Sequence, residues 1–204
     1  MRILQMLVSL LFGLNLVAST FAAVPNSTIV GPIEADPPGH PSRNSIYAAS
    51  AIELTDNGYI EEEYFIEGTA NQYTNSELEN SEVIDGGHRY RTRLIVRRPQ
   101  AARFNGIVIV EWINVTGGPD KDIDWWLSGA HFVRNGYAYI AVSAQQMGID
   151  TMKEWSPERY SSLDTTHDGM VSRDGLSYDI FSAVGKAINR VGESRPSGKT
   201  DILD

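Results

Sequence analysis

The feature that most constrains this fold is an uninterrupted apolar run from Gly106 to Val110, built almost wholly of β-branched residues. Such residues favour strands. A strand without a polar face is buried on both sides, as in a parallel sheet covered by helices. A second run, from Tyr137 to Ser143, has the same character. The sequence therefore predicts a sheet with buried central strands.

Helical periodicity follows each of these runs. Between Asp122 and Asn135 apolar residues recur at helical spacing, namely Ile123, Trp126, Leu127, Ala130 and Val133. A second stripe comprises Leu176, Ile180, Phe181, Val184, Ile188 and Val191. The stretch from Ala144 to Leu176 has few periodic features and is expected to be an insertion. Strands alternating with helices predict an α/β protein with a three-layer architecture.

Two amphipathic segments precede this region, at Tyr59 to Gly68 and His88 to Arg98. In the second, arginines occupy every other position from residue 89 to residue 93. The two segments are expected to pair antiparallel, with acids opposite arginines. A solvated strand face is the favoured interpretation of the arginines, and anion binding is the alternative. The polar stretch from Thr69 to Gly87 is predicted to be a surface loop.

The N-terminus has the pattern of a signal peptide over residues 1–22: a positive charge, a short apolar run and small residues before the cleavage point. An uncleaved membrane anchor is the alternative. Residues 23–50 are proline-rich and predict an extended leader, so the domain itself would span 51–204. We expect a secreted or periplasmic protein with no membrane association after cleavage. The net charge of −9 argues against a nucleic-acid partner, and the absence of cysteine excludes disulfides.

Ligands of open α/β sheets bind beyond the carboxyl ends of the strands. Two glycines follow the first buried strand here, in a position where backbone N–H groups could stabilise an oxyanion. A turn that uses glycine only for its shape is the equal alternative. The candidate oxyanion and substrate-lining residues are Trp112, Asn114, Val115, Thr116, Gly117, Gly118 and Gln145.

Other motifs carry weaker signals. Asp120, Asp122 and Asp124 resemble the start of a calcium loop, but the glycine and glutamate of such a loop are missing. Asp164, His167 and Asp168 are interpreted as a polar loop cluster, so no metal site is expected. Ser194 lies in a Gly-x-Ser sequence, but no strand precedes it and Pro196 follows, which argues against a nucleophile elbow. His40, His88 and His131 show no interpretable serine or acid partner.

Four motifs together resemble a family of α/β-hydrolase-domain proteins. They are GIVIVEWINVTGGPD at 106–120, VSAQ at 142–145, WSPERYSSL at 155–163 and SYDIFS at 177–182. The resemblance covers about 52–191 and implies an α/β-hydrolase-like sheet, incomplete in this chain.

The same resemblance implies a serine hydrolase that acts on a small-molecule ester without a cofactor. Its serine, acid and histidine would follow Asp204, so the chain would be an N-terminal fragment, inactive alone, with no catalytic residue of its own. A secreted, non-catalytic binding module with the same fold is the alternative.

Overall fold

The computed structural model describes residues 24–74, 81–172 and 174–189. Its strands are β1 Ser27–Val30, β2 Tyr59–Tyr73, β3 Val83–Pro99, β4 Val108–Trp112 and β5 Ala138–Val142. Its helices are α1 Ile123–Asn135, α2 Gln146–Trp155, α3 Pro157–Tyr160 and α4 Ser177–Asn189, with short 3-10 turns at Thr55–Asn57 and Ala101–Arg103.

The five strands form one mixed sheet in the order β1-β2-β3-β5-β4. The pairs β1–β2, β2–β3 and β3–β5 are antiparallel, and β4 runs parallel to β5. The predicted antiparallel pair and the alternation of strands with helices are confirmed. Because β2, β4 and β5 point the same way, their carboxyl ends meet at one edge of the sheet.

Helices cover both faces of the sheet. Leu94 and Val96 of β3 pack in one apolar cluster with α4, whereas Ile95 packs in a second cluster with Trp125 and Val133 of α1. Alternate residues of a strand point to opposite faces, which explains this division. The architecture is therefore α/β with helix, sheet and helix layers.

The predicted loop from Thr69 to Gly87 is wrong, because strand pairing continues through most of it. Partners such as Thr69 with Arg89 and Gln72 with Asp85 extend the β2–β3 ribbon, with irregular register near residues 70–73. Polar composition concealed the strands, because antiparallel strands can face water on one side and then need few apolar residues.

The run from Gly106 to Val110 also differs from its prediction. The strand begins at Val108, and Val108 to Val110 are only partly buried. Ile107 before it is 48% exposed. The reason is position, because β4 lies at the edge of the described sheet. By contrast, β5 is buried at every residue, as expected.

Helix α1 has the predicted limits but buries a different face. Its buried residues are Trp125, Gly129 and Val133, while Trp126 is 64% and Leu127 is 81% exposed. Gly129 lets Ile52 and the Trp125 ring approach the helix backbone closely. Because Trp125 and Trp126 are adjacent, helical periodicity does not show which of the two faces the core, and the prediction that Trp126 is buried is wrong.

The stretch from Ala144 to Leu176 is not irregular throughout, since it contains α2 and α3. Ile149 and Met152 of α2 bury against Phe65 and Tyr160. Helix α4 confirms the second stripe, with Ile180 and Val184 fully buried; Val191 lies outside the described residues.

The proline-rich N-terminal segment is extended and lies against the domain. Within it, β1 pairs with β2, and Ile33 and Tyr47 pack on the cluster beneath α2. The proposed signal peptide lies outside the described residues. No helix within the described ranges is long and apolar enough to cross a membrane.

Candidate functional site

An open cleft of about 880 Å³ lies over the edge of the sheet where β2, β4 and β5 end. Its walls come from the end of β2, the residues that end or follow β4 and β5, and the start of α4. The described lining residues are Val24, Gln72, Tyr73, Thr74, Ser81, Trp112, Gln145, Ser172, Asp174, Gly175, Tyr178, Asp179 and Ser182. The position agrees with the rule for ligand sites in α/β sheets.

A chain of hydrogen bonds fixes one wall of this cleft. The Trp112 indole Nε1 donates to Gln145 Oε1 over 3.2 Å, and Gln145 Nε2 donates to Asp174 Oδ2 over 3.1 Å. Asp174 Oδ1 accepts the backbone N–H of Gln146, the first residue of α2, at 2.8 Å. Since only its nitrogen can donate to a carboxylate, the Gln145 amide has one defined orientation. The structure thus brings two of the predicted lining residues together.

Asp174 was not recognised from the sequence. It has a φ of 56°, an uncommon backbone conformation for a residue other than glycine. The conformation places both of its carboxylate oxygens against the start of α2. Nothing in the spacing of residues 144–176 marks this position, because the contact joins two loops 29 residues apart.

Aromatic rings form the second part of the wall. The Trp112 ring centroid lies 5.5 Å from that of Tyr178, edge to face, and 5.5 Å from that of Phe181. Both partners belong to α4. Tyr178 remains 62% exposed in this setting, so the cleft contains an aromatic ring that is fixed in place and still open to solvent.

Asp179 closes the opposite side and is buried. Its Oδ1 accepts the Tyr73 hydroxyl at 2.6 Å, and its Oδ2 accepts the backbone N–H and side-chain amide of Asn71 at 2.7 and 2.8 Å. Burial raises the pKa of Tyr73, and the bond to Asp179 raises it further, so the hydroxyl remains a donor at neutral pH.

The predicted oxyanion segment forms a tight turn after β4. Gly118 N–H donates to Val115 O at 2.9 Å, and Gly117 at the third position has a φ of 90°, the feature of a type II turn. Thr116 N–H donates to the Asn114 side chain, and Asn114 pairs with Lys121. In the described part of the chain, this leaves the N–H groups of Val115 and Gly117 without an acceptor.

The turn and the cleft share one edge of the sheet, but they are distinct in the structure. Asn114, Thr116 and Gly117 are exposed, and no residue of the turn lines the cleft. The predicted set of site residues is thus divided: Trp112 and Gln145 wall the cleft, and 114–118 lie beside it.

A buried ion network lies beneath the turn, on the α1 face of the sheet. It comprises Arg93, Arg97, Arg159, Glu61, Glu63, Asp120 and Asp122. The side chains of Arg93 and Arg97 are fully buried, so the expectation of a solvated arginine face over residues 89–93 is wrong at Arg93. It holds for Arg91, which is partly exposed and pairs with Glu67 at 3.0 Å.

Each guanidinium of the network is satisfied by several partners. Arg93 donates to Asp120 Oδ2 at 3.0 Å, to the Ser143 hydroxyl at 3.1 Å and to the Tyr47 carbonyl at 2.8 Å. Coulombic attraction to Asp120 and its neighbours outweighs burial and raises the pKa of Arg93. Arg93 therefore stays charged and paired inside the protein.

The network also argues against the hypothesis of a calcium loop that begins at Asp120. Asp122 accepts a hydrogen bond from Arg97, and Asp120 accepts from Arg93, so both carboxylates are neutralised by protein cations. Asp164 instead organises its own loop, accepting the N–H groups of Thr166 and Asp168 at 2.8 and 2.6 Å. Across the described residues, no group of three or more acidic, histidine or cysteine side chains is arranged to hold a metal.

Two histidines do have partners, contrary to the sequence interpretation. His40 Nδ1 lies 2.8 Å from Ser42 Oγ and 3.4 Å from Asp36. Because the same nitrogen faces both groups and Ser42 donates directly to Asp36, the trio lacks the order of a catalytic triad. His88 lies 3.1 Å from His167 and 3.3 Å from Asp85, without a serine.

Ser143 is the described serine that most resembles a nucleophile by position, since it follows β5 and precedes α2. It is 1% exposed, however, and its hydroxyl donates to Asp120 at 2.5 Å. A buried serine bonded to a paired carboxylate lacks the histidine base that acyl transfer requires. Ser194 lies outside the described residues.

A mixed sheet covered by helices on both faces, with a cleft at the carboxyl ends of its strands, defines a protein of the α/β class. A family model described as an alpha/beta hydrolase domain matches residues 29–203. The chain belongs to this α/β-hydrolase-domain family. No curated protein and no solved structure matches it.

Proposed function

We propose that this chain belongs to an exported serine hydrolase that cleaves carboxylic esters, with its serine, acid and histidine supplied by sequence after Asp204. The observation that carries the proposal is the cleft at the carboxyl ends of β2, β4 and β5, in a chain of the α/β-hydrolase-domain family. Trp112 and Gln145 would then form the wall against which the ester is held.

In this mechanism a histidine removes the proton of the serine hydroxyl, which attacks the ester carbonyl. Negative charge develops on the carbonyl oxygen and requires fixed donors nearby. The N–H groups of Val115 and Gly117 are the candidates, because the other N–H groups of the turn are already bonded within it. The alcohol leaves, and water then releases the acid from the serine.

The first test uses the protein expressed from its whole gene and collected from the periplasm or the medium. A fluorophosphonate probe should label one serine, and short p-nitrophenyl esters should be hydrolysed. Peptide mapping should place the label on a serine after Asp204. A protein that is neither labelled nor active on esters would contradict the proposal and favour a binding module. A label on Ser143 would contradict it as well.

The turn is tested by Val115→Pro, which removes one candidate N–H group. We expect kcat to fall by about 10²–10³-fold with little change in KM, the effect of losing one oxyanion donor. Val115→Ala keeps the N–H group and is the matched control. Unchanged kcat in a folded Val115→Pro protein, as judged by circular dichroism, would remove the turn from the mechanism.

A further inference from the structure

We infer that the cleft binds a neutral, polyhydroxylated group such as a sugar ring, so that the ester cleaved by the proposed hydrolase would be an acylated polyol. The ester part of this inference rests on the proposed function. The binding part rests on the lining of the cleft alone and is tested without hydrolysis.

The first observation is the solvent-open aromatic surface. Tyr178 is 62% exposed, yet its ring packs edge to face on Trp112 at an interplanar angle of 76°. Trp112 is in turn held by Phe181 and by its bond to Gln145. A rigid ring with one open face offers apolar area at little entropic cost, and the C–H face of a sugar ring can cover it.

The second observation is the set of fixed polar groups beside that ring. The Gln145 amide uses its oxygen for Trp112 and one N–H for Asp174, which leaves its second N–H for a ligand. The Asp174 carboxylate accepts two hydrogen bonds and has room for more. A hydroxyl group both donates and accepts, so it matches a neighbouring amide donor and carboxylate acceptor.

The remaining lining distinguishes this ligand from other ester components. Among the lining residues that the structure describes, Val24 is the single aliphatic side chain, whereas a fatty-acyl site would be walled by such groups. None of these residues is lysine or arginine, the usual partners of an anionic group. Serine, threonine and amide side chains fill most of the remaining wall.

The test is a titration of the full chain with neutral mono-, di- and trisaccharides, followed by calorimetry and tryptophan fluorescence. We expect saturable binding that Tyr178→Ala weakens about tenfold, as loss of a stacking surface would. Trp126→Ala is the matched control, because Trp126 is a 64% exposed aromatic residue that does not line the cleft. It should bind saccharides like the parent.

Choline and decanoate serve as competing probes for a cationic and a fatty ligand. Tighter binding of either, no saccharide binding, or equal binding by the Tyr178→Ala protein would overturn the inference. Hydrolysis of simple esters without saccharide binding would overturn the inference and leave the proposed function standing. Saccharide binding without fluorophosphonate labelling or hydrolysis would overturn the proposed function and leave the saccharide site standing.

Discussion

Replacement of Arg93 by methionine should destabilise the protein far more than the same change at Arg91, two residues earlier on the same strand face. The Arg93 side chain is fully buried and its partner Asp120 is 1% exposed. The Arg91 and Glu67 side chains are 33% and 40% exposed. The two substitutions therefore compare one chemical change in two environments.

The expected magnitude follows from what each substitution leaves behind. Without Arg93, Asp120 keeps a single hydrogen bond, from Ser143, and stays inside the protein as an uncompensated charge. Breaking such a buried pair costs about 3–5 kcal/mol. A solvent-exposed pair such as Arg91 with Glu67 contributes about 0–1 kcal/mol.

The assay is urea unfolding, followed by circular dichroism and tryptophan fluorescence, with Asp120→Asn added to complete a double-mutant cycle. The double variant should be more stable than the sum of the single effects predicts, because no unpaired charge remains. A surface pair contributes at most about 1 kcal/mol. If the losses of unfolding free energy in Arg93→Met and Arg91→Met differ by less than about this amount, the reasoning on buried charge is refuted. Additive single effects would refute it too.

Further predictions concern Glu111 and a pair of helix glycines. Burial raises the pKa of Glu111 above its usual value of 4.5, so the folded protein loses stability as pH rises through the folded pKa. The unfolding free energy of Glu111→Gln minus that of the parent should therefore increase from pH 4 to pH 7 in urea titrations. A difference that stays constant over this range would contradict the prediction. A Cβ atom at Gly148 would overlap with Asp120 Oδ1, so Gly148→Ala should cost about 2 kcal/mol, which lowers the melting temperature by about 4–8 °C. Gly185→Ala in α4, where nothing lies within 4 Å, should instead gain about 0.5–1 kcal/mol, and equal melting temperatures for the two variants would count against the packing.

Much of the fold could be predicted because its signals are local. The limits of α1 follow from Asp122 and Gly136, and β5 follows from a run that is buried on both faces. Errors arose where position in the sheet decides burial. Val108 to Val110 are as apolar as β5 but lie at an edge, and Arg93 is as charged as Arg91 but is enclosed by the loops that carry Tyr47 and Asp120.

The candidate site was predictable in part for a similar reason. Trp112 ends β4 and Gln145 lies just after β5, and parallel strands bring such positions together. Asp174 and Tyr178 contact them from a distant loop and from α4. Such contacts depend on tertiary packing and have no periodic signal along the chain.

The hydrogen bonds that hold the N-terminal segment set an order of events during synthesis. Arg159 donates to the Glu34 carbonyl from 125 residues further along the chain, and Lys186 donates to the Val24 carbonyl from 162 residues away. At about 5–20 residues per second, a ribosome makes Arg159 roughly 6–25 s after Glu34. Throughout that interval the segment has its pairing with β2 but lacks these two later contacts, and Glu63 has Arg93 but not yet Arg159 as a partner. The first part of the domain to be made is therefore among the last to be fully secured.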